Sequence, residues 1–243
     1  MVDFTGPMLK AERATHHISE LESIFVAYER ANKQSLTRDF NVITGVKARV
    51  YGATLPDHTP TVLGDALHNL RVSLDHAYCI LVEANGATIG EQTKFPFGKK
   101  PGSWAHVRAN LDKDIEKGLA PSRAVVDYIS DVIQPYVGGA GSDLLDLHIL
   151  DIADKHMVLL PTKRLTTITN MTDKNGNTFN LCSTGFALDF LFINTDIRNN
   201  PNMQASITPC FGAGQPLEGQ EIIPTLHRLH GRVVDTLRSL QAL

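Results

Sequence analysis

Two stretches of this chain concentrate residue types that can do chemistry. Residues 64–82, GDALHNLRVSLDHAYCILV, place Asp65, His68, Asn69, Arg71, Asp75 and His76 in an otherwise apolar run. Residues 142–160, SDLLDLHILDIADKHMVLL, place His148, Asp151, Asp154, Lys155 and His156 in a second such run. A histidine held by a carboxylate is a tuned base, and a nearby Arg or Lys can stabilise an anionic transition state. The set suits hydrolysis by general acid–base catalysis. His68, Asn69, Arg71, Asp75, His76 and Lys155 are the candidate catalytic residues.

The same stretches also offer metal ligands. Asp65-x-x-His68 and His148-x-x-Asp151 each set an imidazole and a carboxylate on one helical face. Two such helices packed together could present Asp65, His68, His148 and Asp151 to a divalent metal acting as Lewis acid or activating water. Arg71 and Lys155 would compete for those carboxylates. A third reading has no catalysis: the polar residues form a buried network that fixes the fold of a binding or structural protein.

Both stretches read as helices. At about 100° per residue, Leu63, Leu67, Leu70, Leu74, Ala77, Tyr78 and Leu81 make one apolar stripe. The opposite face mixes Asp65, His68, Asn69, Asp75 and His76 with Val72, Cys79, Ile80 and Val82, so the helix is expected to be buried nearly all round. Its polar groups then need partners. Arg71 and Asp75, four apart, are an expected ion pair. In the second helix His148, Asp151 and Lys155 share a strip, and Asp154 points elsewhere.

Composition narrows the classes. With 243 residues the chain can bury a large core. A net charge of −3 gives no general electrostatic case for nucleic acid or anionic membrane. No apolar run is long enough to span a bilayer, and the N-terminus lacks a signal peptide's apolar core, so the expected setting is cytoplasmic and away from the membrane. Cys79, Cys182 and Cys210 are widely spaced and odd in number, as reduced, buried thiols would be. There is no Gly-x-Ser-x-Gly, Walker loop or Gly-x-Gly-x-x-Gly, which speaks against serine hydrolases, P-loop NTPases and Rossmann dehydrogenases.

The remaining elements must position the two motif helices. Residues 10–34 and 221–243 read as amphipathic helices, 103–111 and 121–133 as shorter ones, and 138–141 as a flexible joint. Residues 94–98, KFPFG, read as a short extended piece. Strict alternation over 40–50 reads as one strand. Strands are expected at 165–172 and 178–183 around an Asn-Gly turn, and at 186–194 and 203–209. The expected fold is α+β in one domain, 1–243. A mainly helical bundle carries an antiparallel β-sheet built from the strand near 40–50 and several strands in 164–210, closed by the C-terminal helix.

Two resemblances arise from these motifs. Arg71-x4-His76 resembles the Arg-x4–6-His signature of HEPN ribonucleases, small helical dimers of toxin and defence systems, although Val72 stands where that family usually has a polar residue. That resemblance implies a metal-independent RNase working on RNA as a homodimer. The patterns GDxxHNLRxxLDH, FPx, QPY and LHxLDxxDKH, at 64–76, 95–97, 134–136 and 147–156, resemble a group of uncharacterised bacterial proteins. The hydrolase reading instead implies a small-molecule substrate.

Overall fold

The computed structural model describes residues 2–32, 36–41, 45–50, 55–156, 162–172, 175–182, 189–191 and 204–243, with side chains for 2–31, 55–156, 175–178 and 208–243. The last turn of the expected 142–160 helix, most of the 186–194 strand and the first half of the Asn-Gly turn lie outside the described residues, as does the Cys182 side chain.

Helical periodicity builds the first of two units, Met1–Glu20, Pro60–Leu159 and Ile223–Leu243. It contains the first part of α1 (Thr5–Asn32), then α2 (Thr59–Ala84), α3 (Ser103–Glu116), α4 (Arg123–Tyr128), a π-helical turn (Ile129–Ile133), α5 (Ser142–His156) and α6 (Ile222–Gln241). The α2 stripe is buried as its spacing demands: Leu63, Leu67, Leu70, Leu74, Ala77, Tyr78 and Leu81 are all inside. In α6, Leu226, Leu229, Val233, Leu237 and Leu240 recur at helical intervals and are fully buried. In α5, Leu144, Leu147 and Leu150 join the core. Burying each such side chain contributes about 2 kcal/mol before the entropy of ordering it is subtracted.

The α2 helix is not buried all round. Asp65, His68 and His76 are exposed, and Asn69, Val72 and Asp75 are half-buried. The 138–141 segment is no flexible joint either. Gln134 takes a left-handed conformation at φ 54° where the π-helical turn ends. Its side chain accepts the Ala140 N–H at 3.1 Å, and its carbonyl accepts the Gly141 N–H at 3.2 Å. A Cβ at 139 or 141 would strike the carbonyl of Gln134 or Ile133, so only glycine permits this reversal into α5.

The second unit is Leu21–Thr59 and Leu160–Ile222. Its strands are β1 (Leu36–Asn41), β2 (Gly45–Val50), β3 (Thr162–Thr172), β4 (Thr178–Cys182), β5 (Asp189–Leu191) and β6 (Gln204–Cys210). They fall into two groups, β1-β2-β5 and β4-β3-β6, each paired antiparallel. The expected α+β fold is therefore corrected. The chain is mainly helical; among the described residues the 45–50 strand meets only 189–191 of the 164–210 segment, the other strands there pair separately, and the C-terminal helix belongs to the helical unit. The reason is local. The expected 40–50 strand is two short ones, with Asn41 paired to Gly45. These residues are four apart, so the sequence alternation crosses the break in step and reads as one strand.

Candidate active site

Helices α2 and α5 meet through polar side chains from both motif stretches. Residues at i, i+3 and i+7 share a helical strip, so His68, Arg71 and Asp75 succeed one another along α2, and His148, Asp151 and Lys155 along α5. Where the strips face each other, two small networks form.

The first is half-exposed. His68 Nδ1 lies 2.8 Å from Asp151 Oδ1, and Lys155 Nζ lies 2.6 Å from Asp151 Oδ2. The Asp151 side chain is only 4% exposed, whereas those of His68 and Lys155 are 48% and 51% exposed. A buried carboxylate needs charge-assisted partners, and these two supply them. An ionised carboxylate only accepts, so the ring proton of His68 is assigned to Nδ1 and Nε2 is left as a proton acceptor.

The second network is dry. Arg71 is 3% exposed and His148 7%. Arg71 donates from Nε to His148 Nδ1 at 2.9 Å. Its Nη1 sits 2.6 Å from Asp75 Oδ1, a close ion pair without the alignment of a hydrogen bond. The same Asp75 oxygen accepts the Phe95 N–H at 2.8 Å. The Phe97 ring stacks on His148 with centroids 4.4 Å apart and planes within 5°, and the Arg71 guanidinium carbon lies 4.7 Å from its centroid. Burial, and then the Arg71 and Lys99 charges, pull His148 down to about 3. A neutral ring is what the Arg71 bond requires, because Nδ1 must accept. The ring proton is therefore on Nε2, which has no partner.

The 94–98 strap is fixed by these contacts and by its far end. Gly98 donates to the Pro135 carbonyl at 3.1 Å and accepts from Val137 at 3.2 Å. A Cβ on Gly98 would overlap Tyr136, on which Trp104 stacks at 4.9 Å. Trp104 in turn donates to Ser130 Oγ at 3.0 Å. Gly64 has a similar reason: a Cβ there would occupy the place of the Asp154 carboxylate. Segments 64–76, 95–97 and 147–156 thus contact one another within the helical unit, and 134–136 is tied to them through Gly98.

The candidate residues divide between the two networks and the surface. His68 and Lys155 meet on Asp151, and Arg71 and Asp75 meet beside His148. Asn69 is spent on its own helix, donating to the Asp65 carbonyl at 2.8 Å. Asp65 and His76 are exposed and join neither network. Of the four expected metal ligands only His68 and Asp151 come together. Arg71 occupies His148 and Lys155 occupies Asp151, and among the described residues no group of three or more His, Cys, Asp or Glu could hold a metal ion. The ribonuclease pair does not converge either, since Arg71 is buried in its own network and His76 is exposed. Sequence reasoning missed Phe97 as a partner of Arg71 and His148. The aromatic pair around Pro96, flanked by Lys94 and Lys99, was the available signal.

Among the described residues no helix is long and apolar enough to cross a membrane. No family model, no curated protein and no solved structure matches the chain.

Proposed function

We propose that the protein is a hydrolase in which His68 carries the proton, oriented by Asp151. The observation that carries this reading is the pairing of a half-exposed imidazole with a buried carboxylate at 2.8 Å. The carboxylate fixes the ring and its tautomer and stabilises the imidazolium that forms when Nε2 takes a proton from water. Lys155 holds the second carboxylate oxygen, so Asp151 cannot swing away. No step is routed through an ion: Lys155 already holds the Asp151 carboxylate, and Arg71 already takes the His148 Nδ1 lone pair. The substrate is a small molecule reaching the solvent side of His68.

A non-catalytic role is supported for the other half. Arg71, His148, Asp75 and Phe97 contact one another and hold the 94–98 strap to α2 and α5, with His148 Nε2 left over. Their task is to fix the pair of helices that positions His68 over Asp151.

The test is a panel of chromogenic ester, amide and phosphomonoester substrates with wild type, His68→Gln and Asp151→Asn. Turnover of one class, reduced about a hundredfold or more in His68→Gln, is expected. Turnover unchanged in both variants, or none on any class, contradicts the reading.

A further inference from the structure

Beside the dry network lies a cavity of about 300 Å³, walled by the 92–99 strap, by Val107, Asn110 and Leu111 of α3, and by His148. Its lining includes neither His68 nor Asp151, so binding there is measured without reference to turnover at His68.

Three observations on this cavity point to an anion with an apolar body. First, His148 is nine-tenths buried, and its edges are nearly all used. Nδ1 accepts from Arg71 and one ring face is covered by Phe97, so the Nε2–H is a buried donor without an acceptor, on a ring that lines the cavity. Leaving such a donor unmet costs free energy that a ligand acceptor would recover. Second, Lys94 and Lys99 line the same cavity, and neither has a carboxylate partner among the described residues. Burial, and then the neighbouring Lys94 and Arg71 charges, lower the Lys99 ammonium from its ordinary value; of these three cations only Arg71 has a carboxylate beside it among the described residues, Asp75. Third, apart from Gln92 and Asn110 the remaining wall is apolar: Phe95, Pro96, Phe97, Val107 and Leu111. Concave apolar surface with a few convergent donors is what a small ligand site requires.

We propose that this cavity binds a small organic carboxylate, whose oxygens take the His148 Nε2–H and the ammonium groups of Lys94 and Lys99 while its apolar body lies against Phe97 and Leu111. The apolar lining favours a carboxylate on a hydrocarbon or aromatic body over inorganic phosphate, which would leave that wall facing water. Arg71 contributes indirectly: by donating to Nδ1 it fixes the tautomer that turns His148 into a donor.

The test titrates the full-length chain with phenylacetate, with phenethyl alcohol as its uncharged counterpart, and with inorganic phosphate. Binding is followed by calorimetry and by the His148 Nε2–H signal in nitrogen-resolved spectra. Phenylacetate should bind saturably and shift that signal. The alcohol and phosphate should bind at least about tenfold more weakly, and Lys99→Met should weaken phenylacetate by about tenfold, with Lys94→Met as an independent second variant. Equal binding of the alcohol would make the cavity merely apolar, and tighter phosphate would make it a phosphate site. Either result overturns the proposal. So does the absence of saturable phenylacetate binding, or wild-type affinity in both lysine variants.

Discussion

The seam between α2 and α5 has a wet half and a dry half made of the same residue types. In each, a histidine of one helix meets a charged residue of the other. His68 meets a carboxylate at 2.8 Å, and half of its side chain faces water. His148 meets a guanidinium at 2.9 Å and is 7% exposed. The difference teaches that the partner's charge and the access of water, not the histidine's position on a helix, decide what the ring does. A carboxylate partner accepts from the ring and stabilises it when protonated. A guanidinium demands a lone pair and locks the ring neutral. On the proposed function the wet half transfers protons, while the contacts of the dry half hold the 94–98 strap to α2 and α5.

The largest effect should come from the centre of the dry half. Arg71→Leu leaves the half-buried Asp75 with one backbone N–H and strips His148 of its donor. The loss should be about 4 kcal/mol in urea unfolding. A loss below about 1 kcal/mol would mean that the network is ornamental.

Next in size is a pH effect with a defined sign. His148 is held at about 3 in the fold against an ordinary value of 6.5. Below pH 6.5 the unfolded chain takes up a proton that the folded ring refuses. Stability from this group is therefore complete above that pH and falls on acidification, at up to about 1.4 kcal/mol per pH unit, until about pH 3. His148→Gln should lose this component of the slope. An unchanged slope between pH 6 and 4 would assign the acid sensitivity to other groups.

A smaller effect tests the floor on which both halves stand. Gly64→Ala pushes a methyl into the Asp154 carboxylate and should cost about 2 kcal/mol. In an Asp154→Ala background the same change should cost at least about 1 kcal/mol less, because the obstruction is gone. Equal costs in both backgrounds would show that the glycine serves its own helix rather than this contact.

The sequence made the helices legible because each has one apolar stripe and few alternatives. The buried positions of α2 and α6 match their spacing, and the Arg71–Asp75 pair comes from i,i+4 geometry alone. Ends were less clear. The 10–34 helix in fact begins at Thr5, because the Asp3 carboxylate accepts the Thr5 N–H at 2.8 Å and anchors a first turn that Gly6 and Pro7 obscure. Contacts between helices were hidden, since periodicity gives the face of a helix but not its rotation against a neighbour. Asp65 and His68 looked like equal members of one pair, yet that rotation turns His68 onto Asp151 and leaves Asp65 in water. Pairing of strands was hidden for a related reason: alternation marks a strand but names no partner. Hence the expected single sheet, where the described residues form two small groups.

The division of the seam is tested most directly by one pair of unfolding free energies, for His68→Gln and His148→Gln, measured by urea at pH 7. His68→Gln should lose about 1 kcal/mol or less, because water can replace what the half-exposed ring gives up. His148→Gln should lose about 3 kcal/mol, because Arg71 and Phe97 lose a buried partner that nothing replaces. Equal losses, or a greater loss at His68, would contradict the division of the seam into a working half and a holding half.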